Sequence, residues 1–142
     1  MGLAKIYDVD PSVNARATHL SARGFVGSGN DMLIGRIIGG GPPGSLQRVL
    51  SRALGPSLGG AGVASPLANP TLSLRDTNGN VLANNDNWQD SQQADIAATG
   101  MAPPNTKESA ILALLAPENY TVIVTGKNGA IGVGLVEFSG LP

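Results

Sequence analysis

Cysteine is absent from this 142-residue sequence, and histidine, aromatic and charged residues are scarce. Without cysteine there is neither a disulfide framework nor a thiolate metal site. Only 13% of the residues are charged, and the nine Lys and Arg residues are scattered without a basic stripe. This pattern excludes the usual nucleic-acid footprint. No apolar run reaches the roughly 18 residues of a membrane-spanning helix, so we expect neither a nucleic-acid partner nor membrane insertion.

Side chains that could act as nucleophile or base in catalysis are also few. The segment Gly55–Gly59 (GPSLG) matches the G-x-S-x-G nucleophile elbow, with Ser57 in the place of the nucleophile. That motif needs an acid and then a histidine after the serine, whereas the single histidine, His19, comes before it. Because no nucleophile–base pair or metal triad can be assembled, we expect no enzymatic activity and no cofactor.

Glycine, proline and short apolar runs are abundant instead. Gly (20 residues) and Pro (10) make up about a fifth of the chain, while 42% hydrophobic residues argue against disorder. Short apolar runs separated by Gly, Pro and Asn are typical of an all-β sandwich. We predict a jelly-roll-like β-sandwich of about eight to ten short strands with one short helix near residues 91–99.

Local signals predict several connections. GSGND predicts a hairpin-type connection between residues 19–26 and 32–39, and Asn-Gly at 78–79 predicts a tight hairpin. The chain from residue 109 onward is predicted to form a three-strand meander. Asp90 or Ser91 would cap the helix, and Gly100 would end it in the left-handed conformation.

The stretch DTNGNVLANNDNWQD (residues 76–90) has alternative interpretations. Carboxylate and amide oxygens are ligands that Ca²⁺ prefers, and a structural calcium site would use Asp76, Asn78, Asn80 and Asp86. The spacing does not match an EF-hand loop, however, and turns use the same residue types. Trp88 either stacks on a carbohydrate or covers the open end of the sandwich with its N–H bonded to a turn carbonyl.

Several segments together resemble a module found, often in tandem, in large secreted and cell-surface bacterial proteins. They lie within residues 23–141 and read RGFVGSGNDMLIGRIIGGG, RVLSRALGPSL, DTNGNVLANNDNWQD, ESAILALLAPENYTVIVTG and GVGLVEFSGL. The second half also resembles, more distantly, the pre-peptidase C-terminal domains. The resemblance implies a sandwich in an extracellular or cell-surface setting. It also implies a strand at Leu46–Leu54, where apolar spacing alone predicts a helix, and we predict the strand.

The first residues of the chain resemble the last ones. Aligned from Gly2 and Gly134, GLAKIYDVDP and GLVEFSGLP both pass from Gly-Leu through a charge and a large apolar residue to a proline. In tandem arrays of the module that this chain resembles, one repeat ends in a strand like GLVEVYDLD that leads into the next repeat. Residues 1–17 therefore look like the tail of a preceding module, placed before a sandwich domain at 18–142.

Two functional hypotheses follow. In the first, the chain is a structural subunit of an extracellular bacterial filament or surface assembly, and its N-terminal strand pairs with a neighbouring copy. The interface would comprise Leu3, Ile6, Tyr7 and Val9 of the donated strand and Val133, Leu135 and Phe138 of the receiving edge. The alternative is an adhesive or carbohydrate-binding module of a larger secreted surface protein, with Trp88 as the contact.

Overall fold

The architecture comes from a computed structural model that describes residues 5–9, 19–28, 31–38 and 42–141. Within these residues the chain forms nine strands and two short helices, so the all-β prediction is confirmed. Neither helix is long and apolar enough to cross a membrane. In chain order the elements are β1 (Lys5–Val9), β2 (His19–Val26), β3 (Leu33–Ile38), β4 (Gln47–Leu54), α1 (Pro56–Gly60), β5 (Pro70–Arg75), β6 (Val81–Asn85), α2 (Gln93–Ala98), β7 (Ser109–Leu115), β8 (Asn119–Gly126) and β9 (Gly132–Leu141).

The strands form two sheets that face each other. Sheet A has the order β1-β3-β8-β5-β6, and sheet B has the order β2-β9-β4-β7. The described strand pairings are antiparallel except that of β1 with β3. With β1 set aside, the order 3-8-5-6 facing 2-9-4-7 is that of an eight-stranded jelly roll. The jelly-roll prediction is therefore confirmed, and β1 is an addition to it.

Two of the predicted connections are wrong. β2 and β3 lie in different sheets, so GSGND does not make a hairpin, and the chain end is not a meander because β7, β8 and β9 alternate between the sheets. Turn residues show where a chain reverses, but they do not show which sheet receives the next strand. The Asn-Gly hairpin is confirmed, since β5 pairs with β6 and Gly79 has a φ of 83°.

Residues 47–54 form the strand β4, so the strand predicted for residues 46–54 is confirmed over the helix that the apolar spacing predicts. Val49 and Ala53 face the core between the sheets, while Leu50 on the opposite face joins a second apolar cluster. Because both faces of β4 are covered, its apolar residues do not alternate, and their spacing imitates that of a helix. Leu46, which fits the helical pattern, is exposed.

The main core lies between the two sheets. Its buried members are Val26, Leu33, Val49, Ala53, Leu67, Leu72, Leu74, Ile111, Leu115, Tyr120, Val122, Val124, Val136 and Phe138. Gly35 of β3 is demanded by this packing, since a Cβ there would lie 2.9 Å from the ring of Phe138. Each large apolar side chain buried in this way contributes about 1.5–3 kcal/mol before the entropy cost of ordering it.

The outer sides of the two sheets differ. The connection between β6 and β7 (residues 86–108) covers sheet B, where Leu50, Trp88, Ile96 and Ala110 form the second buried cluster. Sheet A instead carries a groove of about 600 Å³, lined mainly by residues of β5, β6 and β8. The outer side of sheet B is therefore covered by chain, whereas that of sheet A carries an open groove of mixed polar and apolar lining.

The predicted helix within that connection is confirmed as α2, and Gly100 after it adopts the expected left-handed conformation with a φ of 74°. The start of the helix differs from the prediction. Gln92, rather than Asp90 or Ser91, occupies the N-cap position, and it makes no side-chain cap. Its amide bonds to the backbone of β7 instead.

Candidate assembly edges

β1 forms one edge of sheet A and pairs in parallel with β3. The register runs from Lys5 beside Leu33 to Val9 beside Ile37. Three of the residues predicted for the donated strand, Ile6, Tyr7 and Val9, thus belong to a strand that pairs with its own chain in this structure, whereas Leu3 lies outside the described residues. β3 is the one described strand that pairs with β1.

The predicted receiving edge needs correction. Val133, Leu135 and Phe138 lie in β9, which is bonded to β2 on one side and to β4 on the other. An interior strand has no free backbone groups for an incoming strand, and Phe138 is buried between the sheets. The likeness between the two ends of the chain therefore does not mean that they pair, because the last strand of a jelly roll occupies the middle of its sheet.

Asp76 organises the β5–β6 turn. One carboxylate oxygen accepts the backbone N–H groups of Asn78 and Asn80, each at 2.9 Å, and the other accepts the Asn80 side-chain amide at 3.2 Å. These hydrogen bonds, that from the Asn80 backbone first, lower the pKa of Asp76 below its ordinary value. The geometry is that of an Asx-type turn, as the alternative interpretation of this stretch expects.

Asp86 lies beyond the opposite end of β6 from that turn. Its carboxylate contacts the Lys127 ammonium at 2.6 Å, and this hydrogen bond raises the pKa of Lys127. The four residues considered for calcium therefore do not converge on one site. Among the described residues, no three acidic, histidine or cysteine side chains come close enough together to hold a metal ion.

Trp88 is a core residue. Its side chain is 8% exposed and packs with Leu50 and Ile96 on the outer face of sheet B. A ring in this position offers no open face for stacking on a sugar. Trp88 has the predicted covering role, but it covers the outer face of sheet B and not the open end of the sandwich. Its indole N–H has no hydrogen-bond partner among the described residues, so the predicted bond to a turn carbonyl is wrong.

Ser57 belongs to a structural network rather than to a nucleophile elbow. Its hydroxyl donates to the Glu108 carboxylate at 2.6 Å, and the same oxygen accepts the backbone N–H groups of Gly55 and Ser57. The other carboxylate oxygen accepts the N–H of Asn105 at 3.0 Å. Glu108, which is 0% exposed, thus fixes the start of α1 to the start of β7.

The opposite edge of the sandwich, at β7, is occupied by the segment 85–92. The N–H of Trp88 donates to the carbonyl of Glu108 at 2.9 Å, and the N–H of Ala110 donates to Oδ1 of Asn85 at 3.0 Å. At Leu112 the Gln92 side chain accepts the N–H at 3.0 Å and donates to the carbonyl at 2.9 Å. Sequence reasoning missed this arrangement, because a side-chain amide that serves a backbone twenty residues away leaves no local pattern.

An ion pair anchors the same connection to sheet B. Arg52 of β4 pairs with Glu137 of β9 beside it and also donates to the carbonyl of Met101 at 3.0 Å. Both side chains are largely shielded from solvent. The second cluster and this bond together hold the segment 86–108 in place along β7.

No protein-family model and no curated protein matches this sequence. Solved structures with the same fold include the pre-peptidase C-terminal domain of a collagenase from Bacillus anthracis, with 12% identity, a TM-score of 0.50 and coverage of 98% of this chain and 97% of that one. Another is PliG, a periplasmic inhibitor of g-type lysozyme from Aeromonas hydrophila, with 12% identity, a TM-score of 0.50 and coverage of 97% and 99%. The resemblance to pre-peptidase C-terminal domains is therefore confirmed at the level of the fold.

Proposed function

We propose that this chain is a structural subunit of an extracellular bacterial assembly in which β1 of one molecule pairs with β3 of the next. The observation that carries the proposal is that β1 lies outside a complete eight-stranded jelly roll and is bonded to one strand, β3. A copy of β1 from a neighbour can form the same parallel ladder in the same register. Exchange then changes the connectivity without changing the hydrogen bonds, which makes strand swapping a low-cost route to assembly.

The connection between β1 and β2 is long enough for such an exchange. Nine residues, 10–18, separate the two strands. Fully extended, they span up to about 30 Å, which is close to the diameter of a small domain. Each molecule would donate one strand and accept one, so the contact is head-to-tail and generates rings or open filaments.

The same proposal includes an extracellular location and a role that involves no catalysis. The sequence resemblance to secreted and cell-surface modules supports an extracellular location, as does the likeness of fold to a periplasmic inhibitor. The single His19 and the structural use of Ser57 support a role without catalysis.

An engineered disulfide tests where β1 pairs. Asp8 and Arg36 are register partners, and adjacent strands lie about 4.8 Å apart, within the Cα range of a disulfide. Because the chain has no cysteine, Asp8→Cys combined with Arg36→Cys introduces a single pair. Exchange predicts a ladder of covalent oligomers on non-reducing denaturing gels that collapses to monomer with reductant.

Asp8→Cys alone is the matched control, since it can form at most a dimer. Complete conversion of the double variant to an internally bridged monomer would overturn the proposal, because β1 would then pair with its own chain in solution.

A binding module is the second candidate, favoured by the groove on sheet A. Its lining includes the hydroxyl, amide and guanidinium groups of Thr71, Ser73, Arg75, Asn84 and Thr125, which can hydrogen-bond a sugar. NMR titration with oligosaccharides should then shift the Thr71 and Thr125 amides and leave the indole of Trp88 unmoved. If the amide resonances of these two threonines do not shift, the groove does not bind these oligosaccharides and this candidate function is wrong.

A further inference from the structure

The segment 85–92 takes the place of a strand beside β7. Its hydrogen bonds reach the β7 side at every second position, namely Glu108, Ala110 and Leu112. In an antiparallel ladder alternate residues point to the same neighbour, so these are the positions that face away from β4. Four of the groups that another strand would use are thus already engaged, namely the carbonyl of Glu108, the N–H of Ala110, and the N–H and carbonyl of Leu112.

Gln92 imitates one residue of a neighbouring strand. Its amide accepts the N–H of Leu112 and donates to the carbonyl of the same residue. Two such bonds to one residue are what a directly opposed strand residue makes in a hydrogen-bonded antiparallel pair. A strand that docked at Leu112 would have to displace this side chain.

The edge becomes accessible just beyond Gln92. Leu114, the next residue of the alternating series, is 61% exposed, and Leu82 of β6 is 50% exposed. Both line a groove of about 490 Å³ that runs between β6 and β7. An apolar groove beside a sheet edge is a site where strand addition and aggregation begin.

The sequence of β7 makes a second copy of β7 the natural occupant. It reads SAILALL, seven residues without charge, proline or glycine. Uncharged apolar segments of this length are those that pair with identical segments of other chains. We propose that Gln92, supported by Asn85, closes the β7 edge against antiparallel pairing with β7 of a second copy. This inference does not depend on strand exchange by β1.

Hydrogen exchange in the unmodified protein tests the closure directly. The amides of Leu112 and Leu114 both point toward the open side of β7, but only that of Leu112 donates to the Gln92 side chain in this structure. After correction for intrinsic rates, the Leu112 amide should therefore exchange at least about tenfold more slowly than the Leu114 amide. Equal protection of the two amides would overturn the proposal.

A substitution tests the consequence. Gln92→Met keeps the length of the side chain and removes both hydrogen bonds, and Gln93→Met is the matched control at the exposed neighbouring position. We expect the Leu112 protection factor to fall about tenfold. With Ile6→Asp in both variants, so that assembly through β1 is blocked, the molar mass from light scattering should double relative to the control. If a folded Gln92→Met variant has the same molar mass and the same Leu112 protection factor as the control, the proposal is wrong.

A second substitution identifies the edge that pairs. Leu114→Asp added to Gln92→Met places a charge on the open part of β7 and should restore the molar mass of the control. Ile6→Asp added to Gln92→Met should leave the extra association in place, because it alters β1. If Ile6→Asp abolishes the association and Leu114→Asp does not, the closure proposal fails while strand exchange by β1 stands.

Discussion

Two of the sheet edges in this sandwich, at β3 in sheet A and at β7 in sheet B, are covered in different ways. At β3 the sheet is extended by a further strand, β1, through a backbone ladder, whereas at β7 the edge is occupied by side-chain amides and irregular backbone. The proposed exchange would form this same ladder with a strand from another molecule. Gln92 is fixed by the helix that begins after it and by the second cluster beneath that helix.

Because of this difference, the β3 and β7 edges are not equally open to pairing with another molecule. In the proposed assembly the β3 edge exchanges its outer strand, whereas the β7 edge is protected along most of its length, which favours pairing at β3 over pairing at β7. A subunit with two open edges would instead associate in several ways and form irregular aggregates.

The largest effect is expected from Ile6→Asp, which acts on β1, the strand that is proposed to exchange. Residue 6 is the register partner of Ile34, so the substitution places a charge beside an apolar residue of the ladder. We expect complete loss of assembly by electron microscopy and light scattering, with a folded monomer by circular dichroism. Ser12→Asp adds the same charge outside the strand and should assemble normally, whereas an unfolded Ile6→Asp chain would show that β1 is needed for the fold of its own molecule.

Glu108→Leu should cost the most stability, because it removes the carboxylate beneath the closed edge. The backbone N–H groups of Gly55, Ser57 and Asn105 would lose their acceptor in a site that excludes water. We expect a loss of about 3–5 kcal/mol in the free energy of unfolding, measured by urea denaturation. Glu108→Gln keeps one acceptor oxygen and should lose clearly less, and an equal loss in both variants would argue against this explanation.

Asn85→Ala should have an intermediate effect on the closed edge. It leaves the N–H of Ala110 without its acceptor and frees the carbonyl of Asn87. Stability should fall by about 1–3 kcal/mol in urea. Asn84→Ala is the matched control, since Asn84 is exposed and directly precedes Asn85 in the same strand. A similar loss in the two variants would show that the bond to β7 contributes little.

What the sequence predicts correctly is local. The β5–β6 hairpin depends on Asn78 and Gly79, and α2 depends on a short apolar pattern closed by Gly100, so both are visible in a few residues. The choice of sheet is not local, which is why the β2–β3 hairpin and the final meander were wrong predictions. The strand at β4 followed from the resemblance and not from its own pattern, because burial on both faces removes alternation.

The candidate sites show the same division. Ile6, Tyr7 and Val9 were predicted to lie in an N-terminal strand, whereas the identity of its partner strand, β3, required the topology. Gln92 was predicted to lie within or beside the helix, and its bond to Leu112 joins residues that are adjacent only in the folded chain. A polar residue that serves a distant backbone has no signature in a single sequence.

The smallest effect is expected at the hairpin turn between β5 and β6, where Asp76 is at the surface. The pKa of Asp76 lies below its ordinary value of 3.8, since its charged form accepts three hydrogen bonds. A lowered pKa means that the charged form adds stability above the unfolded-state value, and that this stability is lost as the pH falls through the folded-state value. Asp76→Asn should therefore have a slightly lower Tm than the unmodified protein at neutral pH, and the difference should shrink as the pH falls below 3.8. The NMR titration of the Asn80 amide should have a midpoint below 3.8, and a midpoint above that value would contradict the hydrogen-bonded turn.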